Sequence, residues 1–180
     1  MIMRIKYPLF LLSLFIVLFL SGIVSVGISP SYAQGLSQEE EVIIGTAENL
    51  FKAMKNKEYE KIWTLLSRKT QNEIVVNVRK SISKAGQKMD EKEIISDFQE
   101  AGVLAKSYWD AYLFAFNPDW VLEESVWRMG DVGRNTAEVY IKYYKSEQPA
   151  ILKMFKEDGL WKAGLEETFG TRKWLDALPY

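Results

Sequence analysis

Residues 104–120 read LAKSYWDAYLFAFNPDW, and the pattern of apolar side chains changes within this stretch. Before Asn117 the large apolar residues recur at spacings of three and four, which is the period of a helix face. Pro118 stops that helix, because its ring removes a backbone donor and clashes with the preceding turn. Beyond Pro118 the apolar residues recur at every second position, as in a half-buried strand. The stretch therefore marks the boundary between a helical half and an extended half of the chain.

Upstream of this boundary, capping signals alternate with apolar stripes. Ser37 is followed by Glu40, and Thr70 by Glu73, at the spacing of a capping box, in which each side chain satisfies a free amide of the first turn. Asp90 begins a third signal of this kind. Together with the apolar spacing, these signals predict helices over residues 37–54, 59–66, 70–85, 90–98 and 104–116.

Downstream of the boundary, the sequence predicts four strands. Ala137, Val139 and Ile141 alternate with polar neighbours, and Asp158-Gly159 is a two-residue hairpin signal between extended runs. Because the connections are short, the sheet should be antiparallel. Helices followed by strands indicate an α+β domain, with the N-terminal helices packed on one face of a four-stranded sheet. The predicted strands cover residues 120–129, 136–145, 150–156 and 160–167.

Residues 1–33 have the features of a secretory signal peptide. Arg4 and Lys6 precede residues 9–20, an apolar run interrupted by a single serine. Small residues then occupy the −3 and −1 positions of a cleavage site after Ala33.

An uncleaved membrane anchor is the alternative for this segment. Residues 8–28 carry no charge and are long enough to cross a bilayer. Both interpretations leave the basic end inside and the remaining chain outside, in the periplasm or at the outer face of the inner membrane. Residues 34–180 have the length of one domain with one core.

Composition excludes several classes of function. The chain has no Cys and no His, so it has no disulfide, no thiolate or imidazole catalysis and no thiolate or imidazole metal site. Its formal net charge of −1 gives no electrostatic reason to bind nucleic acid. We therefore expect no metal, no cofactor and no nucleic-acid partner.

Two parts of the sequence resemble the nuclear transport factor 2-like superfamily, whose members share a cystatin-like cone fold. The opening helical pair, residues 47–54 and 58–67, is similar to the start of many small exported domains of this kind. The end is also similar, at residues 136–139, 152–155 and 156–162. The resemblance implies helices that wrap a strongly curved antiparallel sheet and enclose a pocket. It does not fix the function, because the superfamily includes isomerases, dehydratases, transport adaptors and domains without known activity.

Aromatic residues are the candidates for lining such a pocket. Six of them fall between residues 108 and 120, and others follow in the predicted strands. They would suit a flat apolar ligand, since pockets are mostly apolar with few polar anchors, but ordinary core packing is the alternative. The pocket candidates are Trp109, Tyr112, Phe116, Trp127, Tyr140, Tyr143, Phe155 and Trp161.

Asp110, Glu123 and Glu124 are the candidates for a pocket acid. Among aromatic rings, desolvation would raise the pKa of the Asp110 carboxyl and suit it to proton transfer. Asp110 facing water is the alternative, because it points about 100° away from Trp109 on a helix. Glu123 and Glu124 are neighbours in a predicted strand, so they should point to opposite faces and cannot both flank one substrate.

These observations leave two hypotheses of function. The first is an exported, non-catalytic binding or interaction domain that holds a small apolar ligand or a protein partner. The alternative is a pocket enzyme of the isomerase or dehydratase type, using a buried carboxylate and tyrosine hydroxyls. Self-association as a homodimer through the outer face of the sheet is a further alternative. The sequence assigns no catalytic residue.

Overall fold

A computed structural model of the chain describes residues 35–169, so the predicted signal peptide lies outside the described residues. The helices are α1 (Gln38–Lys55), α2 (Tyr59–Leu65), α3 (Arg68–Lys84), α4 (Glu91–Gln99), α5 (Val103–Ala115) and α6 (Pro118–Leu122). The strands are β1 (Ser125–Val132), β2 (Thr136–Tyr143), β3 (Ala150–Glu157) and β4 (Leu160–Gly164). Residues 165–169 are again helical. Within residues 35–169, no helix is both long enough and apolar enough to cross a membrane.

The strands confirm the predicted α+β class with a curved, antiparallel sheet. Their order is β1-β2-β3-β4, and each strand pairs with its sequence neighbour. Trp127 lies opposite Ile141, and Val139 lies opposite Leu152, so apolar side chains from three strands share one face. This inner face is the one that the helices cover, and a register shift between Met129 and Val132 bends β1 near its end.

Two predicted capping boxes are present. The Ser37 side chain accepts from the Glu40 amide, and the Glu40 carboxylate accepts from the Ser37 amide at 2.6 Å. Asp90 and Glu93 form the same reciprocal pair at the start of α4. These local bonds satisfy donors that the helices would otherwise leave free.

The predicted capping box at Thr70 is wrong. The N-cap of α3 is Ser67, three residues earlier, and its hydroxyl accepts from the Thr70 amide at 3.1 Å. The Thr70 side chain is buried and donates to the Glu167 carboxylate at 2.9 Å. A tertiary contact therefore uses the hydroxyl that the sequence pattern assigned to a cap.

The first and last predicted strands are too long. Residues 118–122 form α6, because Asn117 caps the Asp119 amide and Pro118 occupies the first turn, where a missing amide costs nothing. Strand β1 therefore starts at Ser125 rather than at residue 120. Strand β4 ends at Gly164, because the Thr70 hydroxyl accepts from the Glu166 amide and turns the chain towards α3.

Helix α1 is the centre of the core. Its residues Ile43, Ala47, Leu50 and Met54 have no exposed surface, and the helix packs against α2, α6 and the sheet. Each of its larger apolar side chains contributes about 1.5–3 kcal/mol through burial. At the far end of the sheet, Asp158 and Gly159 both have positive φ angles, which the two-residue hairpin signal predicts.

Candidate functional site

A cavity of about 680 Å³, open at one side, lies at the end of the sheet where β2 and β3 are joined. Helices α1, α5 and α6 form its other walls. Its volume is in the range of pockets that take small organic ligands. The residues that line it are Phe51, Tyr112, Phe116, Trp120, Val121, Ser125, Ile141, Tyr143, Lys145, Ser146, Gln148, Pro149, Ala150 and Phe169.

Aromatic rings make up most of the apolar wall. The ring of Phe116 lies 6.0 Å from that of Phe51 and 5.6 Å from that of Tyr112, measured between centroids. On the opposite side, the Trp120 and Tyr143 rings lie 6.2 Å apart. Large, stiff side chains of this kind present a wide apolar surface to a bound molecule at low entropic cost.

Helix α6 carries one wall of the cavity and is held on two sides. The Trp127 indole donates to the Val121 carbonyl at 2.8 Å, which ties α6 to β1. On the other side, Lys55 at the end of α1 lies 2.7 Å from Asp119 and 2.5 Å from Glu123. The hydrogen bonds that Lys55 donates to these two carboxylates raise its pKa, so the ammonium stays charged and keeps both ion pairs. The position of Trp120 is therefore fixed by neighbours on both strands and helices.

The loop between β2 and β3 supplies the polar rim of the cavity. The Ser146 hydroxyl lies 2.8 Å from the Tyr143 carbonyl and 3.0 Å from the Gln148 carbonyl, so it donates to one or the other. The Ser146 amide also donates to the Tyr143 carbonyl, at 3.0 Å. These bonds give the loop a defined shape beside the cavity mouth.

Three of the aromatic candidates from the sequence line this cavity: Tyr112, Phe116 and Tyr143. Three others, Trp109, Trp127 and Trp161, are buried in the core. Trp127 lies beneath Phe51, with its ring edge-on at 5.8 Å. These three rings therefore follow the core-packing alternative.

Tyr140 and Phe155 lie on the outer face of the sheet. Tyr140 alternates with the inner residues of β2, and its hydroxyl donates to Glu138 at 3.2 Å. Phe155 lies next in sequence to Met154, which is fully buried on the inner face. Side chains of successive strand residues point to opposite faces, so neither aromatic reaches the cavity.

Asp110 is half-exposed and lies outside the cavity. Its carboxylate accepts from the Lys57 ammonium at 2.8 Å and from the Tyr59 hydroxyl at 2.6 Å. These hydrogen bonds hold the pKa of the Asp110 carboxyl below its ordinary value, so Asp110 follows the alternative in which it faces water and not the one in which aromatic rings raise its pKa. An exposed carboxylate of low pKa is a poor general base at neutral pH.

Glu123 and Glu124 also lie outside the cavity lining. Glu123 is the C-terminal cap of α6, and Glu124 precedes β1, so the two are not neighbours in a strand. The Glu123 side chain is 62% exposed and is paired with Lys55. No Asp or Glu of residues 35–169 lines the cavity. Over the same residues, no group of acidic side chains has the arrangement needed to hold a metal ion.

A second cavity, of about 30 Å³, lies beside α5 and has room for a water-sized molecule. Tyr108, Trp109, Glu73 and Glu166 are among the residues around it. The Trp109 indole nitrogen is buried and has no hydrogen-bond partner among the described residues. This space is too small for an organic substrate.

Tyr108 gives this region a measurable pH dependence. Burial, and to a smaller extent the charge of Glu166, raises the pKa of Tyr108 to about 12 from the ordinary 10.0. The folded state therefore keeps a proton that the unfolded state loses, and stability should fall as the pH rises from about 10 to about 12. We expect Tyr108→Phe to remove a decline of order 2 kcal/mol over this interval, measured by urea unfolding at each pH.

The control for this measurement is Tyr144→Phe, because the Tyr144 side chain is largely exposed. Its profile should follow that of the wild type. If the free energy of unfolding fell equally with pH in the wild-type and Tyr108→Phe proteins, the assignment of this pH dependence to Tyr108 would be contradicted.

No family model, curated protein or solved structure matches this chain. Its resemblance to the nuclear transport factor 2-like superfamily therefore stays a prediction. The lining of the larger cavity is the feature that bears most directly on function.

Proposed function

We propose that this protein is an exported, non-catalytic binding domain that holds a small apolar molecule in the larger cavity. One observation carries the proposal: a cavity of about 680 Å³ with an aromatic wall and no carboxylate in its described lining. An apolar wall in contact with water costs free energy, and a bound apolar molecule would recover part of that free energy by displacing the water. Export rests on the signal-like residues 1–33.

The enzyme alternative has less support from the same lining. Proton transfer needs an acid or base within hydrogen-bond reach of the substrate. The three candidate carboxylates lie outside the cavity, and its one described cationic side chain is Lys145. The other titratable groups of the described lining are the hydroxyls of Tyr112 and Tyr143. A protein partner that inserts an apolar side chain is the remaining form of the binding hypothesis.

Binding of N-phenyl-1-naphthylamine, a neutral aromatic probe, tests the proposal. We expect saturable binding at one site, followed by the probe's own fluorescence, which rises in an apolar environment. Trp120→Ala should weaken the binding about three- to tenfold, because it removes part of the aromatic wall. The control is Phe114→Ala, because Phe114 is an exposed aromatic residue outside the described lining. Non-saturable binding, or an affinity that Trp120→Ala leaves unchanged, would count against the proposal.

A further inference from the structure

We propose that the ligand of the larger cavity is a single-chain amphiphile whose anionic head group lies against Lys145 while its apolar chain occupies the aromatic interior. This inference rests on the proposed function and adds the chemical class of the ligand. The supporting observation is that the charged and polar side chains of the lining lie at one rim, while the rest of the lining is mostly apolar.

The polar side chains are concentrated at one rim. Lys145, Ser146 and Gln148 follow each other closely in the loop between β2 and β3. The other side chains of the described lining are aromatic or aliphatic apart from Ser125, whose hydroxyl donates to the Trp120 carbonyl at 2.7 Å. A ligand that matches this arrangement has one polar end and one apolar body.

The one charged side chain of the described lining is Lys145, and Glu147 of the same loop lies outside that lining. Lys55, which holds α6, is neutralised by carboxylates, but Lys145 forms no salt bridge within residues 35–169. Its ammonium lies 5.1 Å from the centre of the Tyr144 ring, which keeps it beside the rim. Hydrogen bonding to Tyr144 raises the pKa of Lys145, so the group is charged at neutral pH.

An anionic head group complements this rim better than a neutral or cationic one. A carboxylate or phosphate would form a charge-assisted hydrogen bond with the ammonium. The Gln148 amide adds neutral donors at the same rim. No carboxylate lines the described cavity to attract a cationic head group, and Lys145 would repel one.

Calorimetric titration with amphiphiles of equal chain length tests the inference, with each ionic amphiphile kept below its micelle concentration and the alcohol below its solubility limit. The protein is titrated with dodecanoate, dodecyl phosphate, dodecanol and dodecyltrimethylammonium in low-salt buffer. We expect the better of the two anions to bind about tenfold more tightly than dodecanol, and the cation to bind most weakly. Comparison of dodecanoate with dodecyl phosphate identifies which anionic head group is preferred.

Lys145→Met should lower the affinity for the preferred anion about three- to tenfold and leave dodecanol binding unchanged. Lys142→Met is the matched control, because Lys142 is exposed near the end of β2, just before this loop, but lies outside the cavity lining. It should change neither affinity. Equal binding of dodecanol and both anions, or an unchanged anion affinity in Lys145→Met, would overturn the inference and leave the proposed function standing. Failure of all four amphiphiles, together with N-phenyl-1-naphthylamine, would overturn both and favour a protein partner.

Discussion

Replacing Trp109 with alanine is expected to lower the free energy of unfolding by about 3–5 kcal/mol. The Trp109 side chain has no exposed surface and lies at the middle of an aromatic chain in α5. Its ring is 5.1 Å from that of Tyr108 and 5.3 Å from that of Tyr112, in edge-on contacts. The substitution removes these contacts and leaves a cavity that the closely packed surroundings fill only partly. Urea unfolding followed by circular dichroism measures the loss.

The same helix provides the control. Phe114 is 95% exposed, so Phe114→Ala should change the free energy of unfolding by less than about 0.5 kcal/mol. Trp109→Phe should lose less than Trp109→Ala, because it keeps a buried ring and removes an indole N–H that has no described partner. Equal losses for Trp109→Ala and Phe114→Ala would contradict the placement of α5 on the core.

Filling the larger cavity is expected to abolish ligand binding without unfolding the protein. Ala150 begins β3, pairs with Ile141 and lines the cavity mouth. Its side chain is exposed to the open side, so an indole in its place has room to extend into the space a ligand would occupy. We expect Ala150→Trp to weaken binding of N-phenyl-1-naphthylamine by more than about tenfold, because probe and side chain cannot share the volume.

Ile151→Trp is the matched control for this substitution. Ile151 is the next residue of β3, and its side chain, already 38% exposed, points to the outer face. Its probe affinity should equal that of the wild type, and both variants should unfold near the wild-type urea concentration. Equal effects of the two substitutions on probe affinity would place the probe elsewhere.

Local signals were sufficient to predict most of the fold. The reciprocal Ser37–Glu40 bonds, the alternation along β2 and the Asp158-Gly159 turn each involve residues close in sequence, and all three are present. Helix α6 is different. Asn117-Pro118 contains both a cap and a residue suited to a first turn, but a helix of five residues is too short to show a period. From the sequence, Pro118 therefore predicts only the end of α5.

The helical turn after β4 depends on distant residues. It forms where Ser67 and Thr70, about a hundred positions earlier, bond to Glu167 and to the Glu166 amide. Nothing in residues 160–167 alone distinguishes this from a longer strand. The same difficulty explains the error at Thr70. Its hydroxyl could cap a helix locally, but it bonds instead to Glu167 and to the Glu166 amide.

The sequence predicts the aromatic character of the site better than the individual residues that line it. The density of rings before Pro118 indicates an aromatic surface, and Tyr112 and Phe116 do line the cavity. The alternation of β2 already separates Tyr143 from Tyr140, since residues three apart in a strand face opposite ways. The sequence does not indicate Phe51 or Lys145. Phe51 belongs to the apolar stripe of α1 and Lys145 follows the end of β2, and neither pattern shows which residues border a cavity.

Methyl-selective NMR of the protein titrated with N-phenyl-1-naphthylamine tests the central claim most directly, since it reports where the probe binds. The methyl signals of Val121, Ile141 and Ala150, which line the cavity, should shift with one saturation curve. Those of Ile62 and Ile94, which are fully buried elsewhere, should not move. Shifts confined to residues outside the cavity, or no shift at Ile141 under saturating probe, would contradict the account.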